Sequence, residues 1–531
     1  MVGWDVVVLT ACDSEQKKAF EEQLSDFPVI DKECHVSFRV YSDWPSGVKI
    51  GPGGGTLVAL EHLHQEFGDR LFTSMRVLLL HAGGYSQRQP SASILGKLFT
   101  PLPRQANYPF TMLALKLELY RLFPAKMSPG VFVAAGDALE AFRVELSDRW
   151  HFNNDGFTVL AHPSSLAIGT GHGVYVLDGD WLTEHIERAE TMSVLRVLQK
   201  PSVDQMRQAN AVLVGKQGHE FVYTDSAFYF SASVAQCLLD FYRSNKPLSC
   251  EIDCYGDFLR PLGAGATQDY FDDTSTVVDS KQKDLAGIRR KLFAALHSFP
   301  ATAIVLPQSK FYHIGTLPEL IWHLCSDDAF RLAFRLCNQS TSHFNQGCLM
   351  SSVVGSGSVI PRDCIVEFCK FSAAIGLVAN CVLSNCCFDK EFNISLACFV
   401  STIAVRIDGR LKYVTVVFGI GDNLKTTSEP SRLTYIGRPL IERLDSLNLP
   451  VIQDRCCLWK LRLFPAEDSM TESFHAALCM LSCFDSSVVG HEQKRCKDRY
   501  SMADLLRLKD IPEMLAFRRQ LLHGLASETA A

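Results

Sequence analysis

One period constrains this chain more than any other feature. Val353, Val359, Ile365, Phe371, Leu377 and Leu383 fall at every sixth residue, and after a one-residue slip Phe388, Ile394 and Val400 resume the series. An amphipathic helix places its apolar residues three and four apart, so a six-residue step fits it poorly. The step predicts a parallel β-helix, built of short strands separated by turns. Lys412 to Lys425, with VTVVFGIGDNLK, predicts a hairpin or insertion on that coil, and Asp422-Asn is a turn signal. From about Met470 the pattern is helical, and Met502 to Leu525 is amphipathic, a face for the coil or for a partner chain. The chain therefore divides into residues 1–340, a coil at 345–437, and a mainly helical segment at 438–531.

The first division alternates apolar runs with helical patterns, which predicts an open α/β sheet, mostly parallel, with ligands at the carboxyl ends of its strands. Asp5 to Thr10 reads as a buried strand and Glu15 to Leu24 as a helix. Gly51-Pro-Gly-Gly-Gly-Thr56 then empties into the helical pattern of Leu57 to His64, with Thr56 as its cap. Free N–H groups at Gly53, Gly54, Gly55 and Thr56 suit a phosphate or a guanine carbonyl. A plain flexible turn is the competing reading; its place one strand before the next loop favours a pocket wall.

That next loop is HAGGYSQRQPSASILGKLFTPLP, from His81 to Pro103, following the apolar run Met75 to Leu80. Gly83, Gly84 and Ser86 open the backbone toward an anion, Arg88 can fork onto phosphate oxygens, and Lys97 adds a mobile charge. The spacing fits neither G-x-x-x-x-G-K-[ST] nor G-x-G-x-x-G. It reads as a grip on a nucleoside triphosphate. Met112 to Leu122 is helical, and Gly130 to Asp137 is a strand whose carboxylate, Asp137, can hold Mg²⁺ or cap a turn.

Further on, His172 stands between two glycines, as a turn residue or a substrate contact. Lys200 precedes a proline, which predicts an extended residue able to meet a second substrate's phosphate. FVYTDSAFYF, Phe221 to Phe230, reads as one strand with Asp225 in its middle, a costly place for an unbound carboxylate. Glu251, Asp253 and Asp257 alternate, which predicts carboxylates on one side for sugar hydroxyls or a metal. Phe311 to Thr316 closes the division, and helices follow to about Leu336.

Composition excludes several classes. With 47% hydrophobic and 21% charged residues, the 531-residue chain is globular. A net charge of −6 argues against nucleic acid or an anionic membrane as partner, so phosphate affinity has to come from a local pocket. No run is long enough to span a bilayer and no signal peptide is visible. The 19 cysteines are scattered through apolar runs without a paired C-x-x-C framework, which predicts free buried thiols and a cytoplasmic location.

HAGGYSQRQPSASILGK resembles the signature of sugar-1-phosphate nucleotidyltransferases, two glycines, then Arg88, then a lysine about ten residues on. Ser86 stands where many members have glycine, and Gly96-Lys97 where many have Pro-Lys. Together with GPGGGTLVALEHL, HPSSLAIGTGHGVYVLD, QKP, VYTDS, CEIDCYGDFLRPLG, FYHIGT and FGIGDNLK, the strings resemble the fucose-1-phosphate guanylyltransferase family, also called GDP-L-fucose pyrophosphorylases. The resemblance runs from about Asp5 to Pro465. It implies a Rossmann-like α/β nucleotidyltransferase domain followed by a left-handed parallel β-helix and a helical tail. It implies GTP and β-L-fucose 1-phosphate as substrates, GDP-L-fucose and pyrophosphate as products, Mg²⁺ as cofactor, and a cytosolic salvage role. Arg88 and Lys97 match the cations on the triphosphate, Asp137 the metal carboxylate, Lys200 the sugar-phosphate lysine and Glu251 the acid on sugar hydroxyls. Gln199 replaces a common glutamate, and His313 replaces the aspartate of D-x-G-T, the usual second metal ligand. Asp253 or Asp225 is then the substitute second ligand.

Two other classes compete. A coil acyltransferase would use a histidine base on the coil, and none lies between His343 and His475. A non-catalytic regulatory or assembly subunit of the same architecture would be expected to lose the phosphate residues, and Arg88, Lys97, Asp137 and Lys200 all stand. Either the coil or the tail offers a surface on which a second copy could stack into a homo-oligomer.

Overall fold

The computed structural model describes residues 3–27, 36–104, 109–145, 147–179, 188–215, 218–274, 284–336, 347–450, 452–484 and 498–530. The boundary expected at 340–345 lies outside them. Two compact units emerge, one of residues 1–84 and 113–313, the other of 85–112 and 314–531.

The first unit is built on an eleven-stranded sheet. Its strands are β1 (Val6–Ala11), β2 (Ser37–Ser42), β3 (Arg76–His81), β4 (Gly130–Ala135), β6 (Phe157–Ser164), β7 (Gly173–Leu177), β8 (Glu190–Gln199), β9 (Leu213–Val214), β10 (Glu220–Thr224), β11 (Ala227–Ser231) and β12 (Ala301–Val305). A separate antiparallel pair joins β5 (Ala138–Ala141) to β13 (Lys310–His313). The order in the large sheet is β2-β1-β3-β4-β11-β6-β12-β8-β7-β10-β9. Pairing is parallel from β2 to β4 and between β6 and β12, and antiparallel elsewhere. The sheet is thus mixed, not mostly parallel. Apolar residues on both faces of a strand report that both faces are covered; they carry no information on the direction of its neighbour.

Two local expectations change. The glycine run is not a loop before a helix: the helix α1 (Gly51–Phe67) begins at Gly51, and Gly53, Gly54, Gly55 and Thr56 are buried inside its first turns. No side chain caps it, and Pro52 occupies the first turn, where its missing N–H costs nothing. Small residues are needed there because the helix lies against Ile252: a Cβ on Gly53 would fall 2.6 Å from Ile252 Cγ2. FVYTDSAFYF is not one strand. It breaks at Asp225-Ser226 into β10 and β11, which occupy different positions in the sheet.

In the second unit, short parallel strands stack on three sides. Ile365 lies against Val382 and Val382 against Phe399; Phe371 lies against Phe388, and Leu377 against Ile394. Each step is 17 residues, not three sixes. The slip after Leu383 is this missing residue, and it brings Phe388, Ile394 and Val400 onto Phe371, Leu377 and Leu383. The first rung keeps this step, and the apolar series falls out of register on it. Val353 and Val359 bridge Lys370 and Gly376, and Val359 is 67% exposed, so it lines no core.

The same 17-residue step aligns cysteines. Cys364, Cys381 and Cys398 form one column and Cys369 and Cys386 another, all buried and all free. Burial pushes the Cys369 thiol up, and hydrogen bonding with Cys381 together with burial does the same to Cys364. These thiols act as small apolar fillers.

After the coil comes a long hairpin, Cys398–Ile407 with Arg410–Gly419, extended antiparallel by Phe464–Glu467 and Arg499–Tyr500. The last segment therefore contributes strands as well as helices. Phe474 of the helix Met470–Ser482 packs on the rings of Phe371, Phe388 and Phe392. The helix Ile511–Ala530 is anchored by Arg518, whose Nε donates to Asn385 Oδ1 at 2.7 Å while its guanidinium covers the Phe368 ring. Among the described residues no helix is long and apolar enough to cross a membrane.

Candidate active site

Parallel pairing from β2 to β4 aligns four carboxyl ends along one sheet edge. Asp43 follows β2, Cys12 and Asp13 follow β1, Gly83 and Gly84 follow β3, and Asp137 follows β4. Gly83 passes so close to β1 that a Cβ would fall 3.2 Å from the Cys12 amide nitrogen. Gly84, at φ 104, accepts the Gln16 side-chain amide at 3.1 Å. Asp43, pressed toward Gly55, has its carboxyl pushed up to about 7 by desolvation and by the charge of Asp13.

His81 ties the start of α1 to this edge. Its Nε2 lies 2.9 Å from Thr56 Oγ1, whose hydroxyl donates to the Pro52 carbonyl at 2.9 Å. Burial lowers the imidazole to about 4, so it is neutral near pH 7. Its backbone carbonyl accepts from Gly136 N–H, which fixes the turn that presents Asp137. Thr56 is therefore a buried strut rather than a cap.

Asp137 meets His313. The antiparallel β5–β13 pair sets His313 opposite Ala138, and His313 Nε2 comes 3.6 Å from Asp137 Oδ2. The His172 ring stacks edge-on against Phe311 at 4.8 Å and lies 6.4 Å from the His313 ring. His172 also holds the sugar-phosphate candidate, since its carbonyl accepts from Lys200 N–H at 2.9 Å. Lys200 is not extended. Its φ is 47, a left-handed conformation that an L-residue before proline adopts only under constraint.

Beneath Lys200 lie the carboxylates. Asp225 Oδ1 accepts from Gly173 N–H at 3.0 Å, and a side chain on Gly173 would run into that carboxylate. Desolvation pushes the Asp225 carboxyl up to about 7, against the pull of Gly173 N–H and Lys200. Asp253 Oδ2 accepts from the Gln199 amide at 3.3 Å, and its Oδ1 accepts from Tyr255 N–H at 3.1 Å. Glu251 lies against Gly51 at the start of α1. The segment from Glu251 to Asp257 is a turn, not a strand, so strand alternation does not set its carboxylates on one side. Asp257 instead is buried in an ion pair with Arg289 at 2.8 Å.

Residues 85–112 belong to the second unit, so Ser86, Arg88 and Lys97 are described within it. Arg88 is exposed, and its carbonyl accepts from Leu317 N–H at 3.0 Å. Lys97 is half-buried and opens a 3₁₀ turn after Gly96, whose φ of 90 no proline could adopt. Ser86 sits at φ 45, in the left-handed region that glycine favours.

Two protein donors, a carboxylate and an imidazole, suit a divalent cation that takes its other ligands from phosphate oxygens and water. Among the described residues no group of three or more histidine, cysteine, aspartate or glutamate side chains forms a closed metal cage. Sequence reasoning missed His81 and Asp43. The signal for His81 was position, a polar residue ending an apolar strand, whereas β2 (Ser-Phe-Arg-Val-Tyr-Ser) gave no such signal for Asp43.

The fucose pyrophosphorylase domain model matches residues 69–469. The chain is 38% identical to the mouse (Mus musculus) fucose-1-phosphate guanylyltransferase, over 99% of this chain and 94% of that protein. It is 36% identical to the human (Homo sapiens) fucose-1-phosphate guanylyltransferase, over 98% and 90%. A bifunctional fucokinase/GDP-fucose pyrophosphorylase of Arabidopsis thaliana is 24% identical over 96% of this chain and 51% of its own length. With most of its length matched by that model and nearly all of it aligned to those two guanylyltransferases, this chain belongs to the fucose pyrophosphorylase family.

Proposed function

We propose that the chain transfers GMP from GTP to β-L-fucose 1-phosphate, giving GDP-L-fucose and pyrophosphate, in the salvage of free fucose in the cytosol. The observation that carries this reading is the gathering of Asp137, His313, His172 and Lys200 in one unit of a chain of this family. A sugar 1-phosphate is already anionic near pH 7, with a second pKa of about 6, so the reaction needs no general base. What it needs is two anions held in line at the α-phosphorus.

In this reading Lys200 holds the incoming phosphate, and its left-handed backbone, tied to the His172 carbonyl, fixes where the ammonium points. Arg88 and Lys97 bear the charge of the triphosphate and of the leaving pyrophosphate. Gly83, Gly84 and Ser86 let the backbone approach the phosphates, and Gly53, Gly54, Gly55 and Thr56 shape the wall on the nucleotide side. Glu251, Asp253 and Asp225 face the sugar. Mg²⁺ at Asp137, when bound, neutralises phosphate oxygens. The coil winds left-handed, and coil or tail provides the surface for a second copy; nucleic acid and membranes are not partners.

The test is pyrophosphate release by the purified chain with each nucleoside triphosphate against a panel of sugar 1-phosphates. GTP with β-L-fucose 1-phosphate is expected to stand well above the others. Equal rates across the panel, or no release, would reject the reading.

A further inference from the structure

We infer that His313 is the second protein ligand of the divalent cation at Asp137, and that this mixed nitrogen–oxygen pair tilts the site from Mg²⁺ toward Mn²⁺. The inference rests on the proposed reaction only in taking a divalent cation to be bound at Asp137.

Two observations carry it. His313 Nε2 and Asp137 Oδ2 are 3.6 Å apart, a separation that lets one cation touch both. The pairing of β5 with β13 makes this placement a backbone property, because Ala138 and His313 are register partners.

The chemistry follows from the donor. Imidazole is a softer ligand than carboxylate, and Mg²⁺ prefers oxygen donors, whereas first-row transition ions accept nitrogen readily. A neutral imidazole also cancels none of the ion's charge. The bound cation therefore keeps more of its field for phosphate oxygens than it would between two carboxylates.

Pulsed EPR of Mn²⁺ bound to the full chain with pyrophosphate, which contains no nitrogen, reads the ligand directly. The wild type is expected to show ¹⁴N coupling from a coordinated imidazole. His313→Asp is expected to keep bound Mn²⁺, lose the coupling, and lower the Mn²⁺-over-Mg²⁺ binding ratio by about tenfold, the scale on which changes around a metal shift affinity. His172→Gln should retain the coupling. Should His313→Asp misfold, His313→Asn takes its place, with the same loss of coupling. Wild-type Mn²⁺ without nitrogen coupling, no bound Mn²⁺, or coupling that survives the His313 substitutions would overturn the inference. Assaying GDP-fucose formation on the same preparation separates the failures. Activity without coupling rejects His313 alone, whereas coupling without activity rejects the proposed reaction alone.

Discussion

Ser86 and Lys200 carry nearly the same backbone conformation, φ 45 and 47, and neither is glycine. Left-handed backbone costs an L-residue about 1–2 kcal/mol, so something holds each in place. At Lys200 the hold is visible in the His172 carbonyl. Lys200→Gly is expected to raise the urea midpoint while lowering kcat/KM for the sugar phosphate by at least about 100-fold, since strain and cation leave together. Ser86→Gly, which removes no charge, should raise stability by about 1 kcal/mol and leave turnover within a few-fold. Asp225 gives a pH-dependent counterpart. Its folded-state pKa of about 7 lies above the unfolded value of about 3.9. The native chain therefore binds that proton more tightly between those values, and the group's contribution to stability falls as pH rises through the window. Asp225→Asn should gain on the wild type in denaturant midpoint between pH 5 and pH 8; a constant difference would refute the assignment. At this scale the sequence put residues forward without disclosing how they sit. Lys200 before proline read as extended, whereas its left-handed turn depends on a carbonyl supplied by His172 in the turn before β7.

At the scale of elements, period was readable and direction was not. The six-residue series located the coil and even its slip, because each apolar residue from Ile365 to Val400 reports a buried corner, as Val353 and Val359 do not. The pitch of 17 and the cysteine columns appear only when rungs are stacked, since Cys364, Cys381 and Cys398 look scattered in one dimension. In the native protein these buried thiols should resist alkylation while all 19 cysteines react in denaturant; rapid native labelling of Cys381 would argue against the stacking. The glycine-rich helix was misread for a related reason. Glycines usually break helices, and only the close approach of Ile252 at Gly53 and of Ile50 at Gly54 explains why they are used inside one. The terminal helix rests on Arg518, so Arg518→Ala should cost about 2 kcal/mol through the lost Asn385 bond and Phe368 contact, read as a shift in thermal midpoint.

For the whole molecule, the family relation and the edge of the first unit's sheet converge on phosphate chemistry in a chain of net charge −6. Such a chain gains no general attraction for anions, so local cations have to supply it. Arg88, Lys97 and Asp137 were put forward from local motifs, as were the glycines at residues 51–55, there read as a loop. His172 was put forward from the glycines on either side of it, but its approach to His313 was not readable, because the two lie far apart in sequence and meet only in the folded unit. The most direct measurement is steady-state GDP-fucose formation by Lys200→Ala beside the wild type, with circular dichroism on both. In Lys200→Ala, kcat/KM for β-L-fucose 1-phosphate is expected to fall by at least about 100-fold with an unchanged spectrum. A variant that turns over at close to the wild-type rate would contradict it.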